Sequence, residues 1–447
     1  MHIESDRPAF LSSVDSIASD IAKDRSAPLA ALRKDALKHF EALGVPTPKN
    51  EDWKYTSLQS LSRTEFRVGA SPDAVTANDL EPLFIPGADV IRLVFINGVF
   101  SKESSSPMTA AGAVVMPLRE ALSNKDEAKI ILDRHFGKIL NYREHAFAAF
   151  NTALLGEGVY IRALKGKAVD QPIQLIFVST RGHTASILPV RNFICAEQGA
   201  QLRVIETFTG LGENLYLTSA VTEVFCERES VIDHTKVQLE SRGAYHMATL
   251  GVKQEDGSKF SSHVFSFGGE LVRNEIHPVL AGENIECLMN GLTVINGEQH
   301  VDNTTVLDHA KPNCFSRELY KGIYNDRSSG VFSGTIIVRQ DAQKTNAIQS
   351  NQTLLLSDEA SIDTRPQLKI YADDVKCTHG ATIGQLDAAA MFYLRSRGIG
   401  KADARNMLIH AFASDIIAYV PLAALREQLE RRLMTQLGKE EPQQLEQ

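Results

Sequence analysis

A cysteine and a histidine separated by one residue form the most suggestive chemical pair in the sequence. Cys377 and His379 lie in the segment YADDVKCTHGATIG. If residues 370–378 form a strand, side chains two positions apart share a face, with Cα atoms about 6.5 Å apart. A thiolate and an imidazole at that spacing can bind one iron or zinc ion, or two iron atoms of a cluster. The alternative is a small buried cysteine beside a hydrogen-bonded turn histidine.

Two ligands do not complete a four-coordinate metal site. If Cys377 and His379 bind metal, the missing donors must come from distant parts of the chain, from a second chain or from small molecules.

Four other histidines are weaker candidates: His263, His277, His300 and His309. His300 with Asp302, and Asp308 with His309, have the residue types of ligand or acid–base pairs. Each is isolated in the sequence, so we expect hydrogen-bonded structural groups instead. The sequence contains no GxxxxGK[ST], no HExxH and no GxSxG, so it lacks the motifs of P-loop nucleotide hydrolysis, zinc proteolysis and serine hydrolysis.

The composition restricts the class of protein. The 447 residues are 43% hydrophobic and carry a net charge of -8, which favours a globular chain of several domains and argues against nucleic-acid or anionic-membrane partners. Five scattered cysteines without a CxxC argue against a disulfide framework. The first residues lack a secretory pattern, and no apolar run approaches the roughly 20 residues that span a bilayer. We expect a cytoplasmic protein.

The spacing of apolar residues divides the chain into helical and β segments, and these segments position the candidate ligands. Helical spacing occupies residues 10–43 and 117–155, and Asn97-Gly98 between two apolar runs predicts a hairpin over 91–100. Residues 386–437 are again helical, with an amphipathic stripe through Leu408, Phe412 and Ile416. We expect an N-terminal helical domain with a small hairpin (1–155), a β core (156–385), a C-terminal helical domain (386–437) and a disordered tail (438–447).

The β core has short runs of four to eight residues, separated by Gly, Asn or Asp, in a weak repeat of irregular length. Helical crossovers are missing over some 220 residues, which argues against a doubly wound sheet or a TIM barrel. A sandwich and a solenoid remain. The ragged turns favour a solenoid, so we predict a mainly β protein with a parallel β-helix core between helical caps.

Residues 308–384, followed by FYLRSRGI, resemble the SufB/SufD family of scaffold subunits in the SUF iron–sulfur cluster assembly machinery. Weaker matches are EDWKYTSL and VFINGVF, at 51–58 and 94–100. The resemblance is dense over residues 302–420. It implies a right-handed parallel β-helix between N- and C-terminal helical domains, and a scaffold subunit rather than an enzyme.

The resemblance also implies partners. In this family, SufD pairs with its paralogue SufB through the β-helices, and each C-terminal domain holds one SufC ATPase. Gly380 after His379, where SufB usually has Glu, points to the SufD branch; a SufB-like paralogue is the alternative. Residues 392–416 match the ATPase-docking region, and a homodimer through the same β-helix edge is a further alternative.

By the same resemblance, Cys377 and His379 lie at the SufB–SufD interface, where a transient iron–sulfur cluster forms between the two chains. His379 is the stronger candidate ligand, and Cys377 is either a ligand or a buried neighbour. Flavin is associated with the family's full complex, although no flavin motif stands in this sequence. The rival functions are a β-helix carbohydrate-active enzyme, which one Trp and the lack of an export signal oppose, and a purely structural partner.

Overall fold

Two long β-sheets run along the middle of the chain. The computed structural model describes residues 9–10, 14, 18–19, 27–69, 75–133, 135–180, 182 and 185–438. The strands in these ranges are β1 Arg67–Val68, β2 Ile91–Ile96, β3 Val99–Ser101, β4 Ala113–Pro117, β5 Val159–Ala163, β6 Ile173–Ser179, β7 Ser186–Ala196, β8 Gln201–Gly210, β9 Tyr216–Cys226, β10 Val231–Leu239, β11 Ala244–Gln254, β12 Lys259–Ser266, β13 Leu271–Leu280, β14 Glu286–Ile295, β15 His300–His309, β16 Phe315–Tyr324, β17 Ser329–Val338, β18 Asn346–Leu355, β19 Ser361–Ile370 and β20 Lys376–Gly384.

Each strand of the core pairs in parallel with the strand two places further along the chain. The first sheet has the order β19-β17-β15-β13-β11-β9-β7-β5-β4, with β1 also on β7, and the second β20-β18-β16-β14-β12-β10-β8-β6-β2-β3. One coil therefore contains one strand of each sheet, and the core has about seven coils. The predicted parallel β-helix is confirmed, and the sandwich is excluded. We call the two sheets the odd sheet and the even sheet.

The corners of the coils explain the repeat in the sequence. A residue in the left-handed region recurs roughly every 30 residues, at Gly166, Gly199, Glu229, Gly257, Asn284, Asn313 and Lys344. Each donates its backbone N–H to a carbonyl one coil ahead; Glu229 N lies 2.9 Å from Asp256 O, and Asn313 N lies 3.0 Å from Gln343 O. Gly and Asn tolerate this conformation best. The corners therefore stack by backbone hydrogen bonds, which tolerate varied side chains and make the repeat weak in sequence.

Helices lie on the outer faces of both sheets. Their bounds are α1 Ala27–Leu43, α2 Gln59–Arg63, α3 Ala77–Leu80, α4 Leu118–Ser123, α5 Lys125–Asp133, α6 Ala146–Leu154, α7 Ala388–Ser396, α8 Lys401–Ile417 and α9 Ala423–Gly438, with 3-10 turns at Glu51–Trp53 and Glu81–Leu83. α6 is buried between α1 and the odd sheet, and Phe150 meets Phe40 with ring centroids 5.1 Å apart. Ile409 and Ile416 of α8 share an apolar cluster with Leu292 and Leu319 of the even sheet.

The predicted hairpin is present. Strands β2 and β3 pair antiparallel around Asn97 and Gly98, which both have positive φ. This is the backbone that a two-residue hairpin turn needs, and β2 joins the even sheet beside β6.

The helical prediction over 117–155 is wrong between residues 135 and 145. The chain there forms turns, because the buried carboxylate of Glu223 on β9 accepts backbone N–H bonds from Gly137 at 2.8 Å and Ile139 at 3.1 Å. Arg191 Nη2 lies 2.5 Å from the same carboxylate. Of the helix predicted over 10–43, the described part is α1 with scattered residues before it. The tail predicted over 438–447 lies outside the described residues except for Gly438, the last residue of α9.

Most core strands have eight to eleven residues, longer than the apolar runs predicted, because polar side chains also face the interior. Glu206 accepts hydrogen bonds from Thr222 at 2.6 Å and Asn192 at 2.9 Å, and His234 lies 3.4 Å away. Burial by itself raises the pKa of Glu206, but His234 and Thr222 lower it to about 2. Strands that are buried on both faces thus carry hydrogen-bonded polar groups such as Glu206, and these groups interrupt the hydrophobic pattern.

Glu318 on β16 is a buried carboxyl, and no cationic side chain in the described part of the chain pairs with it. It accepts hydrogen bonds from Thr305 at 2.9 Å and from Gln349 at 3.0 Å, while its Oε1 has no partner among the described residues. Burial raises the pKa of Glu318 to about 7, an effect that the two hydrogen bonds reduce. The fold therefore accommodates the protonated form better than the ionised form.

We predict that Glu318→Gln stabilises the protein in a pH-dependent way. The folded pKa of about 7 lies above the ordinary value of 4.5, so the stabilisation from the protonated carboxyl is complete below pH 4.5 and is lost as the pH rises through 7. The amide stays neutral, so the variant should match the wild type at pH 4.5 and gain up to about 3 kcal/mol in unfolding free energy at pH 8. Denaturant unfolding at both pH values measures this. Glu359→Gln, at an exposed turn, is the control, and an equal effect at both pH values would contradict the prediction.

Candidate functional site

The last coil of the β-helix carries the predicted ligand pair. Cys377 and His379 lie on β20, which ends the even sheet, and β19 ends the odd sheet beside it. No further strand pairs with the outer edge of either one within the described ranges. At the opposite end, the sheets finish in the short antiparallel strands β3 and β4. Short strands are a common protection of a sheet edge, so the two ends of the solenoid differ in kind.

The strand register shows that the side chains of Cys377 and His379 lie on the interior-facing side of β20. In β18, Ala347 and Gln349 are buried while Ile348 between them is exposed. Cys377 pairs with Ala347, and His379 pairs with Gln349. Side chains paired in a parallel sheet share a face. Both candidate ligands therefore face the side that is interior in every earlier coil.

His379 is the last member of a polar column. Gln349 lies beneath it in register and Glu318 beneath Gln349, and these two are joined by the 3.0 Å hydrogen bond. Gln349 is buried, whereas His379 is exposed because the described chain places no coil above it. The imidazole thus stands at the open mouth of the polar interior.

Cys377 is half-buried against the last coil. It packs on the apolar cluster that contains Ala347, Ile336 and Val338, and burial raises the pKa of its thiol. A metal ion must displace the thiol proton on binding. Among the described residues, no third His, Cys, Asp or Glu completes a three-ligand group with this pair.

Apolar side chains surround the pair on the same coil. Tyr371 is 64% exposed, Ile383 is 50% exposed and Ile370 is 40% exposed. Ile370 and Ile383 align with Val338 and Thr353, both buried in the coil below. The uncovered end therefore combines two unpaired strand edges, apolar contacts and two metal-binding side chains.

Three of the four weaker histidine candidates, His263, His300 and His309, have hydrogen-bond partners within the fold. The Nδ1 of His300 lies 2.8 Å from Ser329 Oγ, and Asp302 pairs with Arg273. The Nε2 of His309 lies 2.9 Å from Ser316 Oγ, and burial lowers the pKa of His309 to about 4.

Asp308 points away from His309 and binds Arg339 through both carboxylate oxygens. His263 lies 3.2 Å from the Asn290 amide and 3.5 Å from Asp233, so it also has partners inside the even sheet.

The EDWKYTSL segment anchors the N-terminal part of the chain along the odd sheet. The guanidinium of Arg273 on β13 lies 3.9 Å from the centre of the Trp53 ring. Thr56 donates a 2.5 Å hydrogen bond to Asp302 on β15, and Glu51 pairs with Arg365 on β19. The segment therefore spans several coils and reaches the last one.

A three-ligand group exists that the sequence reasoning missed. His145, Glu275 and His277 each offer a ligand atom, and these atoms lie within 4.8 Å of one another. Burial lowers the pKa of His145, and Arg273 with His277 holds the pKa of the buried Glu275 far below its usual range. Glu275 and His277 are two residues apart on β13, and this E-x-H spacing can be read from the sequence. His145 comes from a distant turn before α6, and nothing in the sequence connects it to them.

The C-terminal helices present a different surface. α7 has no buried residue, and its Phe392 is 75% exposed and its Tyr393 is 58% exposed. α8 instead turns Ile409 and Ile416 onto the even sheet, so the stripe predicted through Ile416 packs on the protein itself. Among the described helices, none has the length and apolar character to cross a membrane.

Comparison with known proteins identifies the family. Residues 177–412 match the model described as "SUF system FeS cluster assembly, SufBD core domain", and residues 8–175 match the SufBD protein N-terminal region. The chain is 31% identical over 413 residues to the iron-sulfur cluster assembly protein SufD of Escherichia coli, covering 91% of this chain and 92% of that protein.

Two further relatives match this chain over a similar length. An iron-sulfur cluster assembly SufBD family protein of Synechocystis is 31% identical over 405 residues, 89% of this chain and 88% of that protein. The SufB protein of Bacillus subtilis is 22% identical over 423 residues, 91% of this chain and 89% of that protein. With both family models matched and relatives above 30% identity over nearly the whole length, the chain belongs to the SufBD family of iron–sulfur cluster assembly proteins.

Proposed function

We propose that this chain acts as the SufD-type scaffold subunit of a SUF complex, and that the nascent iron–sulfur cluster is held as cargo between its last coil and a SufB-like partner. The observation that carries the proposal is the position of Cys377 and His379 on the interior-facing side of a coil that no other described coil covers. A partner coil stacked there would complete both the interior and the ligand set.

The edges of β19 and β20 support pairing with another β-helix. Unpaired strand edges form backbone hydrogen bonds with a second chain and need little side-chain complementarity to do so. The exposed Ile370, Tyr371 and Ile383 add apolar area to the same seam. A second copy of this chain has the same edges, so a homodimer is the competing pairing.

The two ligands have different roles in the proposal. The exposed imidazole of His379 binds iron through a nitrogen lone pair, and its position at the mouth of the interior leaves it accessible. The thiol of Cys377 must first lose its proton, which its raised pKa opposes. His379 is therefore the primary ligand, and Cys377 adds a second donor once iron is present. The remaining donors come from the partner chain.

Two observations support this role over its rivals. The identity to Escherichia coli SufD is 31%, against 24% to the SufD and 22% to the SufB of Bacillus subtilis, and Gly380 follows His379. Trp53 is 9% exposed beneath Arg273, so the single tryptophan offers no platform for a sugar ring, which argues against a carbohydrate-active enzyme. A purely structural partner remains the alternative that the ligand experiment addresses.

The exposed aromatic pair on α7 supports docking of a SufC-like ATPase at the C-terminal domain. Lys321 of β16 donates to Asp415 at 2.6 Å and to the Phe412 carbonyl at 3.0 Å, which ties α8 to the even sheet. In the proposal, nucleotide-driven movement of docked ATPase subunits pulls on these helices and shifts the seam at the last coil, exposing the cluster site. Such coupling requires two states that bind the nucleotide-loaded ATPase differently.

His379→Ala should lower cluster formation at least about tenfold while the complex still assembles, because the exposed imidazole contributes donor atoms and no core packing. Anaerobic reconstitution with iron and sulfide measures the visible absorbance and the bound iron, and size-exclusion chromatography measures assembly. Thr378→Ala, on the opposite face of β20, is the control. Normal cluster yield in His379→Ala would remove the ligand role and leave the purely structural partner.

Ala381→Pro should weaken the affinity for a SufB-like chain roughly tenfold or more, while β20 stays paired with β18. The Lys376 N–H points to β18 at 2.8 Å from Thr345 O, so the N–H groups of alternate residues 377, 379, 381 and 383 point to the outer edge. Proline at 381 removes one of those donors. Titration calorimetry with a SufB-like chain gives the affinity, with Ala381→Val as the control. Equal affinity for both variants would exclude pairing through this edge.

Phe392→Ala should weaken binding of a SufC-like ATPase roughly tenfold or more, because exposed aromatic side chains dominate the binding energy of interfaces. Met434→Ala, on the exposed face of α9, is the matched control and should bind like the wild type. Surface plasmon resonance with the immobilised chain measures both. If Met434→Ala loses affinity and Phe392→Ala does not, the ATPase docks on α9 instead.

A further inference from the structure

Three potential metal ligands meet where the turn before α6 contacts the odd sheet. The Nδ1 of His145 lies 3.8 Å from Glu275 Oε2, and the Nε2 of His277 lies 3.9 Å from the same oxygen. The two imidazole rings have centroids 4.5 Å apart. These separations are too long for hydrogen bonds. They are close to the roughly 3 to 3.5 Å that separates donor atoms around an ion with bonds of about 2.1 Å.

The carboxylate of Glu275 is oriented toward the histidines by its other oxygen. Arg273 Nε donates to Glu275 Oε1 at 2.7 Å, which leaves Oε2 facing the two imidazoles. Arg273 is itself fixed by Asp302 and by the Trp53 ring. The guanidinium is thus shared between two carboxylates, so the group has a net negative charge when both imidazoles are neutral, which favours a cation. A hydrogen-bonded partner that orients a ligand is typical of metal sites.

His277 carries an unsatisfied buried atom. Its Nε2 has no hydrogen-bond partner among the described residues, although its side chain is only 15% exposed. A buried ring nitrogen without a partner costs about 1–3 kcal/mol. A purely structural role for the cluster leaves that cost unexplained, whereas a metal bound to the lone pair removes it.

We propose that His145, Glu275 and His277 bind one divalent transition-metal ion. Two imidazoles and one carboxylate are the ligands of non-haem Fe²⁺ and of several Zn²⁺ sites, and three protein ligands leave coordination positions open. The ion joins the N-terminal part of the chain, through His145, to β13. The site is separate from Cys377 and His379, since β15, β17 and β19 follow β13 along the odd sheet. It goes beyond the proposed scaffold role and does not depend on it.

Titration of the full-length, metal-free chain with Co²⁺ tests the site, because Co²⁺ bound to nitrogen and oxygen ligands absorbs visible light. We expect one bound Co²⁺ per chain in the double variant Cys377→Ser/His379→Ala, which removes the other candidate ligands. His277→Ala in that background should weaken binding about 100-fold or more. Excess Mg²⁺ should not compete, since it prefers an all-oxygen shell.

A second variant keeps the test independent of folding. His145→Gln changes a side chain that is 29% exposed in a turn, so circular dichroism should show a folded chain. It should also lose Co²⁺ binding, along with the rise in melting temperature that bound Co²⁺ gives the parent chain. Failure of the parent to bind Co²⁺ would overturn the proposal. So would unchanged affinity in the folded His145→Gln variant.

Discussion

The in-register parallel pairing of each strand with the strand one coil later is the constraint on which the rest of the structure depends. It aligns equivalent residues in columns, so that a side chain facing the interior in one coil faces the interior in the next. It also repeats a corner residue in the left-handed region, whose N–H bonds to the following coil. Stacking can continue only by adding coils, and the last coil therefore presents two strand edges and one layer of interior side chains.

The described helices pack on the outer faces of the two sheets and do not cover the end of the solenoid at the last coil. α1 and α6 cover the outer face of the odd sheet from β7 to β13, and α8 with α9 packs on the outer face of the even sheet. Apolar surface is thus removed from water on both sides, which stabilises strands that carry charged groups such as Glu206 inside. Within the described ranges, the last coil and the exposed face of α7 offer surfaces to other molecules, and the junction of the turn at His145 with β13 offers ligands to an ion. Each has a different chemistry.

Local patterns in the sequence were sufficient for several features. The β-helix, the hairpin at Asn97 and Gly98, and the shared face of Cys377 and His379 follow from short-range periodicity and turn chemistry, together with the family resemblance. Features that depend on distant residues were not predictable. Near Ile139, for example, the chain forms turns instead of the expected helix because its backbone N–H groups donate to the distant carboxylate of Glu223.

Local patterns were equally unable to predict which of these residues are exposed and which pack against distant parts of the chain. The open end of the solenoid has no signature in the sequence, because inward and outward residues of β20 alternate as they do in every other strand. His145 joins Glu275 only through the packing of the N-terminal part on the odd sheet.

The central claim is that the outer edge of β20 pairs with a SufB-like chain around Cys377 and His379. Hydrogen exchange of the backbone amides, measured with and without that chain, tests it most directly. If the claim is right, the amides of residues 377, 379, 381 and 383 exchange rapidly alone and become strongly protected in the complex, while those of 378, 380 and 382 are protected in both states. Rapid exchange at the four outer amides within a formed complex would contradict it.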